Sequence, residues 1–145
     1  ISPGNVKISL ESKVKNPMIE LDYDQIVQVI TNFIKNAIEA MPPGGGRVYL
    51  IAEDSSADLS IHIQDTGSGI HEENMSKLFT TLFTTKKVGK GTGLGLPIIY
   101  GIVKMHKGSI EVKSNADKLR GPTGTTFSIT LPRKRTDLKM GANGE

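Results

Sequence analysis

Apolar residues recur at helical spacing over residues 22–41, DYDQIVQVITNFIKNAIEAM. At about 100° per residue, Gln25, Gln28, Asn32, Lys35, Asn36 and Glu39 fall in one narrow arc. Ile26, Val27, Ile30, Phe33, Ile34, Ala37, Ile38 and Met41 fall around the rest. The pattern predicts a helix that is apolar on most of its circumference and buried on most sides, its polar stripe facing a cleft. Asn32 and Asn36 lie one turn apart and point the same way. Two amides, a lysine and a glutamate on such a helix suit a phosphate, a cation or both. Taken by itself, the helix is explained more simply by a solvated outer face.

The remaining pattern places this helix in a sheet protein. Residues 6–10 alternate apolar and polar as a strand does, and residues 18–21 read as a second short strand after the Asn16-Pro17 turn signal. Asp22 caps the long helix, with Gln25 in capping-box position, and Pro42-Pro43-Gly44-Gly45-Gly46 stops it. Residues 48–52 and 59–64 are predicted to pair through a turn at 53–58. Residues 71–78 read as a short helix, and residues 80–92 have no clear period and read as a mobile loop. A second helix opens at the glycine run 91–96 and continues to about Lys107, with Pro97 in its first turn and Gly108 as its stop. Residues 109–113 and 125–131 form a closing strand pair, joined by a polar loop at 114–124. The order predicts an α+β fold: a two-layer sandwich whose mixed, mostly antiparallel sheet is covered on one face by about three helices. Residues 1–132 form the domain, and residues 133–145 a disordered tail.

Bulk properties narrow the function. The 145 residues hold one domain with a sizeable core. The absence of cysteine excludes disulfides, thiolate metal sites and thiol catalysis. No apolar run is long enough to span a bilayer and no secretory signal opens the chain; the lack of cysteine is compatible with the cytoplasmic location expected for this piece, without direct membrane contact, whether the parent protein is soluble or membrane-anchored. The chain opens Ile-Ser-Pro rather than with Met, as an internal piece of a longer protein would. The net charge of +3 is modest, and Arg133, Lys134 and Arg135 read as a solvated terminus. Aromatics are sparse, so nucleic acid is not expected as a partner.

Two glycine motifs carry the chemistry. Asp65-Thr66-Gly67-Ser68-Gly69-Ile70 leaves a strand, where a carboxylate can accept from an exocyclic amine and glycines let a ligand approach the backbone. Gly91-Thr92-Gly93-Leu94-Gly95-Leu96 leads into a helix, a setting that favours phosphate. It is neither a dinucleotide fingerprint nor a P-loop. Each motif is common in isolation. Together with Asn32-x-x-x-Asn36 and with Leu78-Phe79 through Phe83-Thr84-Thr85-Lys86, in this order and spacing, the chain strongly resembles the ATP-binding catalytic domain of bacterial sensor histidine kinases. It is closest in pattern to the nitrogen-regulation type. That domain has the Bergerat fold shared with type II topoisomerase ATPases, Hsp90 and MutL, and the resemblance spans about residues 8–131.

The resemblance implies a set of roles. Asn36 binds the Mg²⁺ that bridges the ATP phosphates, and Asn32 and Lys35 lie near those phosphates. Asp65 holds the adenine amino group, Gly67 and Gly69 admit the base, and Ala40, Ile70 and Thr126 line its pocket. Phe79 anchors the lid beside the nucleotide. Gly91, Thr92, Gly93, Leu94 and Gly95 wrap the phosphates, and Lys86 reaches the γ-phosphate. The hydrolysing relatives carry a glutamate base one turn before the Mg²⁺-binding asparagine, where this chain has Asn32. That favours phosphoryl transfer to a histidine on a separate dimerisation domain, and from there to a response regulator. His62, His71 and His106 are expected to be structural or surface residues, and the fragment to be monomeric. A hydrolysing ATPase of the gyrase, Hsp90 or MutL kind and a serine kinase of the anti-sigma type are the alternatives. Thr80, Thr81 and Leu82 depart from the family's Glu, Pro and Phe, and Lys107 stands where a second glycine is common.

Overall fold

The computed structural model describes residues 5–78 and 95–134. Among them run β1 (Val6–Ser12), α1 (Tyr23–Glu39), β2 (Gly46–Asp54), β3 (Asp58–Asp65), α2 (Glu72–Met75), α3 (Gly95–Met105), β4 (Ser109–Asn115) and β5 (Gly124–Pro132). The strands form one sheet in the order β1-β2-β3-β5-β4. β1 and β2 are parallel, with α1 as their crossover, and every other pairing is antiparallel.

Alternation along the strands decides which side is core. On β3 and β5, Leu59, Ile63, Phe127, Ile129 and Leu131 are buried on the helix-covered face, and their neighbours Ser60, His62, Ser128 and Thr130 point the other way. α1 and α3 close the core over them, with Phe33 against Phe127 at 4.5 Å between ring centroids. α2 is a single turn with no buried residue. The cover stops short of β1, whose Ile8 and Leu10 pair with the core-side Val48 and Leu50 and yet are exposed.

That partial cover corrects the expectation for α1. The helix buries one face only, through Ile26, Val29, Phe33 and Ala37. Val27 is 43% exposed. Packing partners set burial, and α1 has a sheet on one side and α3 on another. The cap is also built differently. Asp22 Oδ1 accepts from Gln25 N–H at 3.0 Å, but the Gln25 side chain does not return the bond. The Asp22 N–H donates to His106 Nε2 at 3.0 Å instead, while His106 Nδ1 lies 2.9 Å from the Ile102 carbonyl. An amide N–H only donates and a carbonyl only accepts, so the tautomer with its hydrogen on Nδ1 satisfies both. The end of α3 thereby caps the start of α1, and His106 is 2% exposed.

Two further expectations change. Residues 18–21 are not a strand. Arg133 satisfies this stretch instead, donating from Nη1 to the Asn16 and Met18 carbonyls, while its own carbonyl accepts from Glu20 N–H at 2.8 Å. Its Nη2 also lies 2.6 Å from Asp54 Oδ2. Arg133 is therefore a packed member of the fold and not part of a solvated terminus; residues 135–145 lie outside the described residues. At the end of α3, Lys107 N–H bonds the Lys104 carbonyl and Gly108 N–H the Val103 carbonyl, both at 2.9 Å. This is a Schellman ending whose left-handed residue is Lys107, at φ 62°. Gly108 is needed for proximity, since a Cβ there would sit 2.5 Å from the Thr130 carbonyl oxygen.

Candidate nucleotide-binding site

β3 ends on Asp65, facing the helix layer between Val48 of β2 and Thr125 of β5. It is 7% exposed. Its Oδ1 accepts from Gly67 N–H at 2.8 Å and from Thr125 N–H at 3.3 Å. Oδ2 has no hydrogen-bond partner among the described residues. Burial pushes the carboxyl above its ordinary range, outweighing the two amides that pull it down. A buried acceptor with a spare oxygen suits a ligand N–H.

The loop after Asp65 is fixed on both sides. A Cβ on Gly67 would lie 2.8 Å from the Ala40 carbonyl oxygen, and Ser68 N–H donates to that same oxygen at 3.2 Å. This brings the loop onto the end of α1. Gly69 has φ +82°, and a Cβ there would meet the Asn115 carbonyl oxygen. Ile70 N–H donates to Ser114 Oγ at 2.8 Å. Ser114 Oγ also contacts Thr125 Oγ1 at 2.7 Å and donates to the Gly124 carbonyl at 3.0 Å. Thr123 Oγ1 donates to the Gly67 carbonyl at 2.7 Å. Sequence patterning missed Ser114 and Thr125, since a hydroxyl within a strand carries no motif.

Thr126 is misplaced by the sequence reading. It pairs with Gln64 and Lys113 on the face away from the helices, and the inward residue beside Asp65 is Thr125. A one-residue step along a strand changes faces. Asn32, Asn36, Ala40 and Ile70 are half-buried around the α1 end of the site, and Lys35 is exposed. Asn32 Nδ2 donates to the Gln28 carbonyl at 3.0 Å. The Asn36 side-chain amide has no partner among the described residues. Gly95 opens α3. Phe79, Lys86, Gly91, Thr92, Gly93 and Leu94, and the loop expected at 80–92, lie outside the described residues.

No group of three His, Cys, Asp or Glu that could hold a metal occurs among the described residues. Asn36 offers one neutral amide oxygen. This fits a Mg²⁺ held mainly by phosphate oxygens and does not fit a resident metal.

Residues 21–135 match the family model described as histidine kinase-, DNA gyrase B-, and HSP90-like ATPase. The chain belongs to this family. Sporulation kinase A of Bacillus subtilis (strain 168) is 40% identical over 113 residues, covering 78% of this chain and 17% of that kinase. The chain thus spans about a sixth of the length of that relative. The catalytic domain of histidine kinase ThkA superposes with a TM-score of 0.75 at 30% identity, over 90% of this chain and 82% of that one. Histidine kinase ThkA in complex with response regulator protein TrrA gives a TM-score of 0.70 at 28% identity, over 90% of this chain and 35% of that one. The mixed five-stranded sheet with its helices is the fold of these catalytic domains. Like them, this member of the ATPase family is an ATP-binding domain of the sensor histidine kinase type.

Proposed function

We propose that this domain binds Mg-ATP and delivers the γ-phosphoryl group to a histidine on a separate dimerisation domain, from which it passes to a response regulator. The observation that carries the reading is Asp65, buried with one oxygen spare beside a loop clasped to α1. That oxygen accepts from the adenine amino group, and the loop through Gly67 and Gly69, packed against Ala40 and Asn115, holds it in place. Ala40, Ile70 and Thr125 wall the ring. Bound Mg-ATP supplies the phosphoryl group and the divalent charge that neutralises it. Asn36 is the proposed Mg²⁺ ligand. Asn32 and Lys35 flank the phosphates; the family resemblance assigns phosphate binding also to Lys86 and to residues 91–95, of which only Gly95 is among the described residues. Catalysis is then positioning and charge neutralisation.

Asn32 separates this reading from an ATPase. Its nitrogen is tied to its own helix and its oxygen is an amide oxygen, so it cannot take a proton from water. Support for a response regulator as partner comes from the complex that ThkA forms with TrrA. Among the described residues no helix is long and apolar enough to cross a membrane. A cytoplasmic location and a monomeric fragment fit the same proposal.

Calorimetric titration with a non-hydrolysable ATP analogue, with and without Mg²⁺, tests it. Mg²⁺-dependent binding with little ATP turnover is the expected result; brisk turnover by the domain alone selects the ATPase reading. Asn36→Ala should weaken Mg-ATP far more than metal-free adenosine, and equal losses would remove its metal role.

A further inference from the structure

The open face of the sheet, opposite the helices, is polarised along the strands. Register places Lys7, Arg47 and Lys113 towards the end where the Asp65 loop emerges, and Glu11, Glu53 and Glu111 towards the far end. All six are exposed. At the far end the acids have local partners: Glu53 Oε2 lies 2.7 Å from His62 Nε2, and Glu11 lies 4.0 Å from Lys13. At the near end neither Lys7, Arg47 nor Lys113 makes an ion pair among the described residues, and neither do Lys118 and Arg120 on the adjoining β4–β5 loop. An open cleft of about 390 Å³ lies at the sheet end, lined by Gln64, Thr126 and Lys113 and also by Asp65, Ser114 and Thr125 of the nucleotide site. The Gln64, Thr126 and Lys113 side chains make no hydrogen bond among the described residues.

The loop beside the cleft is cross-linked by its own hydrogen bonds and displays an apolar tip. The two hydrogens of Asn115 Nδ2 are shared among the carbonyls of Asp117, Gly121 and Pro122, at 3.0–3.2 Å, and Asn115 Oδ1 accepts from Asp117 N–H. Asp117 Oδ1 accepts from Leu119 N–H at 2.9 Å, which occupies the acidic group nearest the tip. The result holds Leu119 at 96% exposure between Lys118 and Arg120. A preorganised leucine framed by uncompensated cations is what an acidic protein surface with an apolar seat requires. We propose that the β4 corner of this end (Lys113 with Lys118, Arg120 and the Leu119 loop) docks an acidic segment of a partner protein that covers Leu119, with Arg47 and Lys7 continuing the basic row across the sheet. The proposal stands on this charge pattern and not on the nucleotide site.

The test is an amide NMR titration of the protein with a short synthetic peptide of glutamate and aspartate around two leucines. Shifts at Gln64, Lys113, Leu119 and Thr126 that weaken with salt are expected. The double reversal Lys113→Glu, Arg120→Glu should weaken binding about tenfold or more, and Leu119→Ser severalfold, both with the wild-type melting temperature. Absent binding, shifts confined elsewhere, or variants that bind like wild type would overturn the proposal. So would tighter, Leu119-independent binding of a DNA duplex or of phosphatidylserine vesicles, which would make the corner a general polyanion surface.

Discussion

Two aspartates end neighbouring strands and fare oppositely. The Asp54 side chain, closing β2, is 5% accessible and fully engaged. Its carboxylate accepts from Asn16 N–H at 2.9 Å, Lys15 N–H at 3.1 Å and Arg133 Nη2 at 2.6 Å. These contacts hold it below its ordinary range, the Asn16 amide contributing most. Asp65, closing β3, lies deeper but has one oxygen idle, and its carboxyl is pushed up by burial. A buried carboxylate with every oxygen engaged holds a fold together. One left short of donors costs stability and keeps a valence for a ligand.

The largest effect expected of this contrast is on binding. In Asp65→Asn the amide oxygen must face the Gly67 and Thr125 N–H groups, so its NH₂ meets the adenine amine donor to donor. Affinity for adenine nucleotides should fall by about 10- to 100-fold by calorimetry; unchanged affinity would remove the base-binding role. Next is Ser114→Ala, which leaves the Ile70 N–H and the Thr125 hydroxyl without their partner. A loss of about 1–3 kcal/mol in chemical denaturation is expected.

Stability against pH sharpens the contrast further. Asp65 has a raised folded pKa, so the folded state holds its proton longer than the unfolded chain does. Its penalty appears as pH rises above the unfolded value of about 3.9 and is complete above the folded one. Asp54 has a lowered folded pKa, so its stabilisation is complete above the unfolded value and is lost as pH falls through the folded one. At neutral pH, Asp65→Asn should therefore raise the melting temperature of the nucleotide-free domain, and Asp54→Asn should lower it. Both gaps should shrink on acidification. Shifts of the same sign would end the comparison.

The smallest effect belongs to Lys107→Gly. Glycine relieves the left-handed residue at the end of α3, and a gain of about 0.5–1 kcal/mol is expected. No gain would mean that the contact Lys107 makes is of equal worth.

Periodicity located the elements well because strands and helices leave their period in the chain. The long helix, the β2–β3 hairpin and the closing strand pair all follow from it. The strand expected at 18–21 failed because a guanidinium, and not a neighbouring strand, satisfies those carbonyls. The capping box was half right. Asp22 caps as its residue type predicts, but the returning bond comes from His106, far along the sequence.

The sequence by itself determined the family, the α+β architecture and the placing of Asp65 at a strand end before two glycines, because these are local patterns in a fixed order. Tertiary structure alone decided that Thr125 and not Thr126 stands beside Asp65, since only strand register assigns faces. It also decided that Ser114 ties the loop to β5, that Arg133 is structural, and that basic residues line one end of the open face. Each of these depends on which distant backbone lies opposite, a pairing that no local pattern encodes.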